Sequence, residues 1–352
     1  MKISIGTRIK DGPWGGGNLF AINLKKFLEK KGHKVIHNLD DEDIDIILMT
    51  EPRKTSESSA FTQIDVRNYL NYIKNDAIVV HRFNECDERK GTNYVNKYLI
   101  NANQYSDQNV FVSNWLKNLF LEQGLKNLNN TVIYAGADSQ VFNNTNYNLW
   151  NQESKMRIVT HHWGSNWNKG FGIYSKIDEL LENSYWKNKI EFTYIGNLPK
   201  NFSFKNTKHI EPLSGLKLAE EIKKSYVYLT ASINEPSGNH HIEAAQCGLP
   251  VMYIDSGGTP EYCKGYGHIF TEDNFEDELN NFISRYFELV ENMKNYPFSS
   301  EKMCQEYESL FEKLLNDKDK LIKARKYIIS EGISNKIFYF IKRKLNKKFH
   351  SK

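Results

Sequence analysis

Thr230-Ala-Ser-Ile-Asn-Glu-Pro-Ser-Gly-Asn-His-His-Ile-Glu-Ala-Ala-Gln-Cys-Gly-Leu-Pro-Val251 follows an apolar, strand-like run and passes into a stretch with the residue choice of a helix. If the run 226–231 is a strand and a helix begins around Asn239, Glu235 stands at the carboxyl edge of a sheet. Glu243 then lies about one turn into the helix, and both carboxylates can face one pocket at the place where open α/β sheets bind ligands. Carboxylates suit hydrogen bonds from sugar and ribose hydroxyls. The backbone N–H groups around Gly238, Asn239 and His240 suit a phosphate.

Outward from this stretch the chain alternates strand-like and helical runs, the pattern of a doubly wound parallel sheet. In the second half the runs 156–163, 190–196, 226–231 and 251–255 are apolar and bounded by turn residues, as a sheet buried on both faces requires. In the first half the runs 2–9, 34–39, 44–50, 77–83, 109–113 and 131–135 read the same way. Between the first two of these a helix is expected, with Asn18 as N-cap, Phe20, Leu24, Phe27 and Leu28 on one face, and Gly32 as its stop. Residues 143–155 are polar and rich in Asn, the best linker in the chain. Residues 276–330 carry helical spacing throughout, as in Phe282, Tyr286, Leu289, Met293 and again in Met303, Tyr307, Leu310, Leu314. The expectation is an α/β protein of two doubly wound Rossmann-like domains, 1–150 and 151–316, facing a cleft, with C-terminal helices and a basic tail, 317–352.

Composition agrees with two folded cores. The chain has 352 residues, 39% hydrophobic and 26% charged, which excludes a disordered or collagen-like chain. Mean hydropathy is −0.62 and no window approaches the ~18 apolar residues of a membrane span. Met1 leads straight into Lys-Ile-Ser-Ile-Gly without the pattern of a secretory signal, so a cytoplasmic location is expected. Cys86, Cys247, Cys263 and Cys304 are too dispersed for a metal or redox motif and are read as reduced. The net charge of +4 hides an asymmetry, because 317–352 holds twelve Lys or Arg against three Asp or Glu.

Two further stretches carry chemistry. Asp11-Gly-Pro-Trp-Gly-Gly-Gly-Asn18 lets a backbone approach a phosphate at a helix N-terminus, or is a strand–helix turn without a ligand. His81-Arg-Phe-Asn-Glu-Cys-Asp-Glu-Arg-Lys90 is polar for the end of an apolar strand, and Arg82, Asn84, Glu85 and Asp87 are acceptor-side candidates on a cleft wall. Asp43 and Asp45 precede a strand and read as its solvated entrance. The pairs His161-His162 and His240-His241 are neighbours that point apart, so no shared metal is expected.

Glu235 and Glu243, followed by Cys247-Gly-Leu-Pro250 and Ser256-Gly-Gly-Thr-Pro-Glu261, resemble the signature of the retaining family 4 glycosyltransferases of the GT-B fold. Gly15-Gly-Gly17, Gly32-His-Lys-Val35, Val112-Ser-Asn-Trp-Leu116, Val132-Ile-Tyr-Ala-Gly-Ala-Asp138 with Phe142, and Lys169-Gly170 match in order along nearly the whole chain. The resemblance implies that Glu235 contacts the donor sugar, Glu243 the ribose, and Gly238, Asn239 and His240 the diphosphate. It further implies that Lys169 neutralises the leaving group, Gly16 and Gly17 close over the phosphates, and His81 faces the donor sugar. The family usually pairs the lysine with an arginine five or six residues earlier. Here Trp163-Gly-Ser-Asn-Trp-Asn168 offers none, which leaves Ser165 or Asn166, or an arginine such as Arg82 or Arg8, to serve.

The implied activity is metal-independent, retaining transfer of a sugar from a UDP- or GDP-linked donor to a hydroxyl of a glycan or lipid-linked acceptor, in cell-surface polysaccharide or lipid-linked glycan assembly. The competing reading is a catalytically weak GT-B nucleotide-sugar-binding partner or regulatory subunit. In the tail, Phe338, Ile341, Leu345 and Phe349 fall on one helical arc against Lys336, Arg343 and Lys347, the pattern of a helix on an anionic membrane at the inner face. No nucleic-acid partner is expected.

Overall fold

The computed structural model describes residues 1–10, 12, 15–127, 129–325, 336, 337, 339–341 and 343. Two parallel sheets of six strands face each other across a cleft. The first comprises β1 (Lys2–Ile5), β2 (Lys34–Ile36), β3 (Ile46–Met49), β4 (Ile78–Phe83), β5 (Gln108–Phe111) and β6 (Asn130–Val132), in the order β2-β1-β3-β4-β5-β6. The second comprises β7 (Met156–His162), β8 (Ile190–Gly196), β9 (Lys208–Ile210), β10 (Val227–Thr230), β11 (Val251–Ile254) and β12 (Gly267–Phe270), in the order β12-β11-β10-β7-β8-β9. Strand order reverses beside β1 in the first sheet and between β7 and β10 in the second. Both reversals open at the carboxyl ends of the strands, and the cleft lies there.

Central strands are buried on both faces: β3, β4, β10 and β11 have no exposed residue, so they read as unbroken apolar runs with few polar positions. β7 and β8 pair over seven residues from Met156↔Ile190 to His162↔Gly196. Gly196 closes that ladder with φ +140°, and a Cβ there would sit 2.0 Å from the His162 carbonyl oxygen, so only glycine fits.

Two expectations are corrected by packing. The first-domain boundary at 150 falls too late, because Ala135, Ala137 and Phe142 already pack with Tyr228, Ile242 and Tyr262 of the second domain. Trp150, inside the expected linker, lies in that domain's other core with its ring against Tyr286. The second-domain boundary at 316 also falls too late. The helix Ser300–Asn316 returns to the first domain and inserts Met303, Cys304, Tyr307, Phe311 and Leu314 among Ile3, Phe20, Leu24 and Leu28.

Asn18 is not an N-cap. The helix Gly16–Lys30 starts two residues earlier, and the Asn18 amide bonds the N–H and carbonyl of Lys10, tying the glycine loop to the end of the first strand's extension. Asp43 pairs with Lys2 and Asp45 with Lys74, as a solvated strand entrance would.

Among the tail residues, Arg325 forms a bidentate pair with Asp107 at 2.7 Å for each contact, and the Tyr339 ring lies tilted against that of Tyr72, 5.4 Å between centroids. Arg343, expected on an outward basic face, is buried against the Asp40 carbonyl, with Glu42 3.7 Å away. Ile341 is exposed. Phe338, Leu345, Lys347 and Phe349 of the expected membrane helix lie outside the described residues. Among the described residues no helix is long and apolar enough to cross a membrane.

Candidate active site

The cleft encloses about 860 Å³ and is lined by both domains. On the second-domain wall the segment after β10 is held by its own glycines. Gly257, at φ +65°, lies so close to Glu235 that a Cβ would meet the Glu235 N and O at 2.6 Å. The Gly258 N–H donates to the Glu235 carbonyl at 2.8 Å, and Ser256 Oγ accepts from the Asn234 N–H. The Ser256-Gly-Gly motif is thus a cradle that fixes the backbone of Glu235. Glu261 then reaches the other domain, accepting from the N–H groups of Asn114 and Trp115 at 2.8 and 2.7 Å and capping the helix Asn114–Glu122.

Glu235 is buried between two cations. Lys169 Nζ donates to Oε2 at 2.6 Å and Arg89 Nε to Oε1 at 2.9 Å. Burial alone would raise the Glu235 carboxyl, but Arg89 and then Lys169 outweigh it and hold the group well below the usual carboxylate range. The Lys169 ammonium is lowered by its own burial, opposed by Glu235. Gly170, at φ +101°, brings Lys169 inward by lying against Ala231, where a Cβ would meet backbone at 2.7 Å.

Glu243 projects from the helix Asn239–Gln246, and its Oε2 lies 2.9 Å from His161 Nε2. His162 bonds the Tyr174 hydroxyl at 2.7 Å and His240 the Thr230 hydroxyl at 2.8 Å, so the adjacent histidines do diverge in their partners. Their rings nevertheless gather beneath the cleft, with His162 and His240 centroids 4.5 Å apart. Burial drives His162 and His240 well below the usual imidazole value, and His241 to about 3, so all three are neutral. Among the described residues no three His, Cys, Asp or Glu converge in a way that could hold a metal ion.

On the first-domain wall, Gly16 and Gly17 open the helix Gly16–Lys30 into the cavity. A Cβ on Gly16 would sit 2.9 Å from Asn239 Oδ1, so the N-termini of two helices, one from each domain, meet across the cleft. Two positive helix ends and their unpaired N–H groups favour an anion between them. Arg82, Asn84 and Glu85 line the same wall, and Glu85 accepts from Arg89 at 2.8 Å and pairs with Lys90 at 2.9 Å.

Of the expected residues, Glu235, Lys169, Gly16, Gly17, Asn166, Gly238, Asn239, His240, Glu243, Arg82, Asn84 and Glu85 are brought together around one cavity. Three are not. His81 is wholly buried behind the wall, its ring 4.1 Å from Phe83 and its Nδ1 3.1 Å from Asn103 Nδ2. Successive residues of β4 face opposite ways, so placing Arg82 in the cleft turns His81 away from it. Asp87 turns to the start of the next helix, Val95–Ala102, where its carboxylate accepts from the N–H groups of Tyr94, Val95 and Asn96 and from the Thr92 hydroxyl. Ser165 lies outside the cavity wall. Sequence reasoning missed Arg89 and His161. Arg89 stood in the quoted polar stretch but was not singled out, and it reaches Glu235 across 146 residues of sequence that no local pattern spans.

Residues 200–298, which include Glu235, Gly238 and Glu243, match the family described as "Glycosyl transferases group 1". That stretch is therefore similar to the glycosyltransferase group 1 family. The matched residues lie in the second domain of a two-domain α/β architecture that matches GT-B structures. The fold aligns with a glycosyltransferase from Rickettsia africae ESF-5 at 14% identity and a TM-score of 0.63, covering 90% of this chain and 98% of that one. It aligns with Anabaena Alr3699/HepE, solved in complex with UDP and glucose, at 15% identity and a TM-score of 0.65, covering 89% and 100%. In sequence it is 26% identical over 113 residues to the phosphatidylinositol N-acetylglucosaminyltransferase gpi3 subunit of Schizosaccharomyces pombe. That match spans 28% of this chain and only a quarter of the yeast protein.

Proposed function

We propose that the protein transfers a sugar from a nucleotide-sugar donor to a hydroxyl of a glycan or lipid-linked acceptor, with retention of anomeric configuration and without a metal. The observation that carries this reading is the meeting of two helix N-termini beside a buried Lys169–Glu235 pair, at a cavity flanked by a second carboxylate, Glu243. The family match and the UDP and glucose bound by the Anabaena relative support it.

In this mechanism the N–H groups of Gly238, Asn239 and His240 hold the diphosphate. Glu243, oriented by His161, accepts from the ribose hydroxyls, and Glu235 accepts from hydroxyls of the donor sugar. The bond from the anomeric carbon to the leaving phosphate oxygen breaks with its electron pair on that oxygen, where Lys169 meets the growing charge. The acceptor oxygen bonds to the anomeric carbon on the same face, and its proton passes to the leaving phosphate.

The test is incubation of the purified protein with UDP- and GDP-linked sugars, following nucleoside diphosphate release and, with acceptor present, the anomeric configuration of the product by NMR. Turnover with one donor, unaffected by EDTA, is the expected result. Loss of turnover that magnesium or manganese restores would overturn the metal-free mechanism. Tight binding of a donor without turnover under any acceptor would favour a binding or regulatory subunit, the reading that the arginine-free stretch 163–168 keeps in view.

A further inference from the structure

Arg82 is a buried charge on the wall of the cleft. It is only 5% exposed, its guanidinium lies 3.9 Å over the Phe20 ring, and its buried Nε makes no hydrogen bond. The carboxylates of the same wall are occupied elsewhere: Glu51 by Arg53, Glu57 by Lys10, and Glu85 by Arg89 and Lys90. Among the described residues no carboxylate pairs with Arg82. A guanidinium keeps its charge in proteins, and taking one out of water without a counter-ion is strongly unfavourable. A cavity that holds such a group on its wall is built for an anion.

The position of Arg82 says which anion. Phe20, under the guanidinium, is one turn along the helix whose first residues, Gly16 and Gly17, point their N-terminus at Asn239 of the other domain. A diphosphate between those helix ends carries at least two negative charges. Lys169 offers one positive charge and is already shared with Glu235, while Arg89 is balanced by Glu85 and Glu235. We propose that Arg82, reaching from the first domain, is the second cation of the diphosphate site, gripping a phosphate with its guanidinium. The assignment rests on the glycosyl-transfer reading and deepens it, because a phosphate ligand from β4 makes donor binding draw on both domains at once. Arg8, exposed at the rim, lacks the burial that makes this case for Arg82.

Titration calorimetry of the full chain with UDP, GDP and the corresponding nucleosides, for the parent, R82K and R82Q, tests it. R82Q should lose roughly tenfold to a hundredfold in affinity for the preferred nucleoside diphosphate, the range of one charge-assisted hydrogen bond or more, with nucleoside affinity unchanged. R82K should recover part of the loss. Thermal melting without ligand supplies the structural control, since removing an unpaired buried charge should leave ligand-free R82Q at least as stable as the parent. Equal diphosphate affinity in parent and R82Q overturns the proposal, as does an equal loss for nucleoside and diphosphate, which would mark Arg82 as packing only. If the parent binds no nucleoside diphosphate at all, the glycosyl-transfer reading fails and the Arg82 assignment falls with it.

Discussion

The two walls of the cleft are made differently. On the second-domain wall the chemistry hangs from backbone that glycines hold in place: Gly257 cradles Glu235, Gly170 seats Lys169, and Gly238, at φ +70°, starts the helix that carries Glu243. On the first-domain wall it hangs from long charged side chains on the segments after β1, β3 and β4, tied to one another in pairs such as Arg53–Glu51 and Arg89–Glu85. A backbone-defined site tolerates few residue types and leaves a spacing that can be read. A side-chain network can be met by many arrangements and leaves none. The second wall is suited to a constant ligand part, and the first to a part that differs from one protein to the next.

The sharpest way to break this contrast is at Lys169, the cation of the backbone-defined wall. Lys169→Ala should lower kcat roughly 10²–10³-fold, as loss of a charge at a leaving group does, and Lys169→Arg should retain far more activity. Equal rates for the two variants at saturating donor would show that Lys169 only packs against Glu235.

A smaller effect should separate the two carboxylates of that wall. Glu243→Ala should weaken nucleoside diphosphate binding by about 1.5–3 kcal/mol, the cost of a hydrogen bond to a charged acceptor. Glu235→Ala should act mainly on turnover. Titration calorimetry that finds Glu243→Ala unchanged in affinity would remove it from the ribose.

The same contrast explains what was legible beforehand. All six strands of the first sheet were foreseen as runs, five because they hold buried apolar residues, and the half-buried β6 because its run continues into the buried Ile133. In the second sheet β9 and β12 were not, since Lys208-His209-Ile210 and Gly267-His268-Ile269-Phe270 are short edge strands with half-exposed residues and no apolar run. The domain limits were misplaced because the Asn-rich stretch conceals two anchors, Tyr147 bonded to the Tyr226 carbonyl and Trp150 in the core. The return of the helix Ser300–Asn316 to the first domain has no sequence mark, because an apolar helical face does not say which sheet it covers. Glu235, Glu243 and Gly238 were found by their places in the stretch after β10, and Lys169 through the family resemblance. Arg89 carried no mark of its distant partner Glu235, and His81 was chosen together with its neighbour Arg82 although strand alternation allows only one of the two to face the cleft.

That last choice yields the smallest expected kinetic effect. His81 is enclosed by Phe83 and Asn103, away from the cavity, so His81→Leu should keep kcat within about threefold of the parent. Its cost should appear in stability instead, since Asn103 loses an acceptor, worth about 1 kcal/mol. The pH dependence identifies the source. Burial holds the His81 imidazole down to about 3, whereas the unfolded chain titrates near 6.5. The unfolded state therefore binds the proton first, and the stability that His81 contributes, complete above about 6.5, drains away as pH falls towards 3. Each pH unit within that window costs the parent about 1.4 kcal/mol that the leucine variant does not lose. Melting temperatures of parent and variant should converge, and then cross, between pH 7.5 and 5. A gap that stays constant over that range would mean His81 is solvated in the folded protein, and a collapse of kcat with unchanged melting would return it to the cleft.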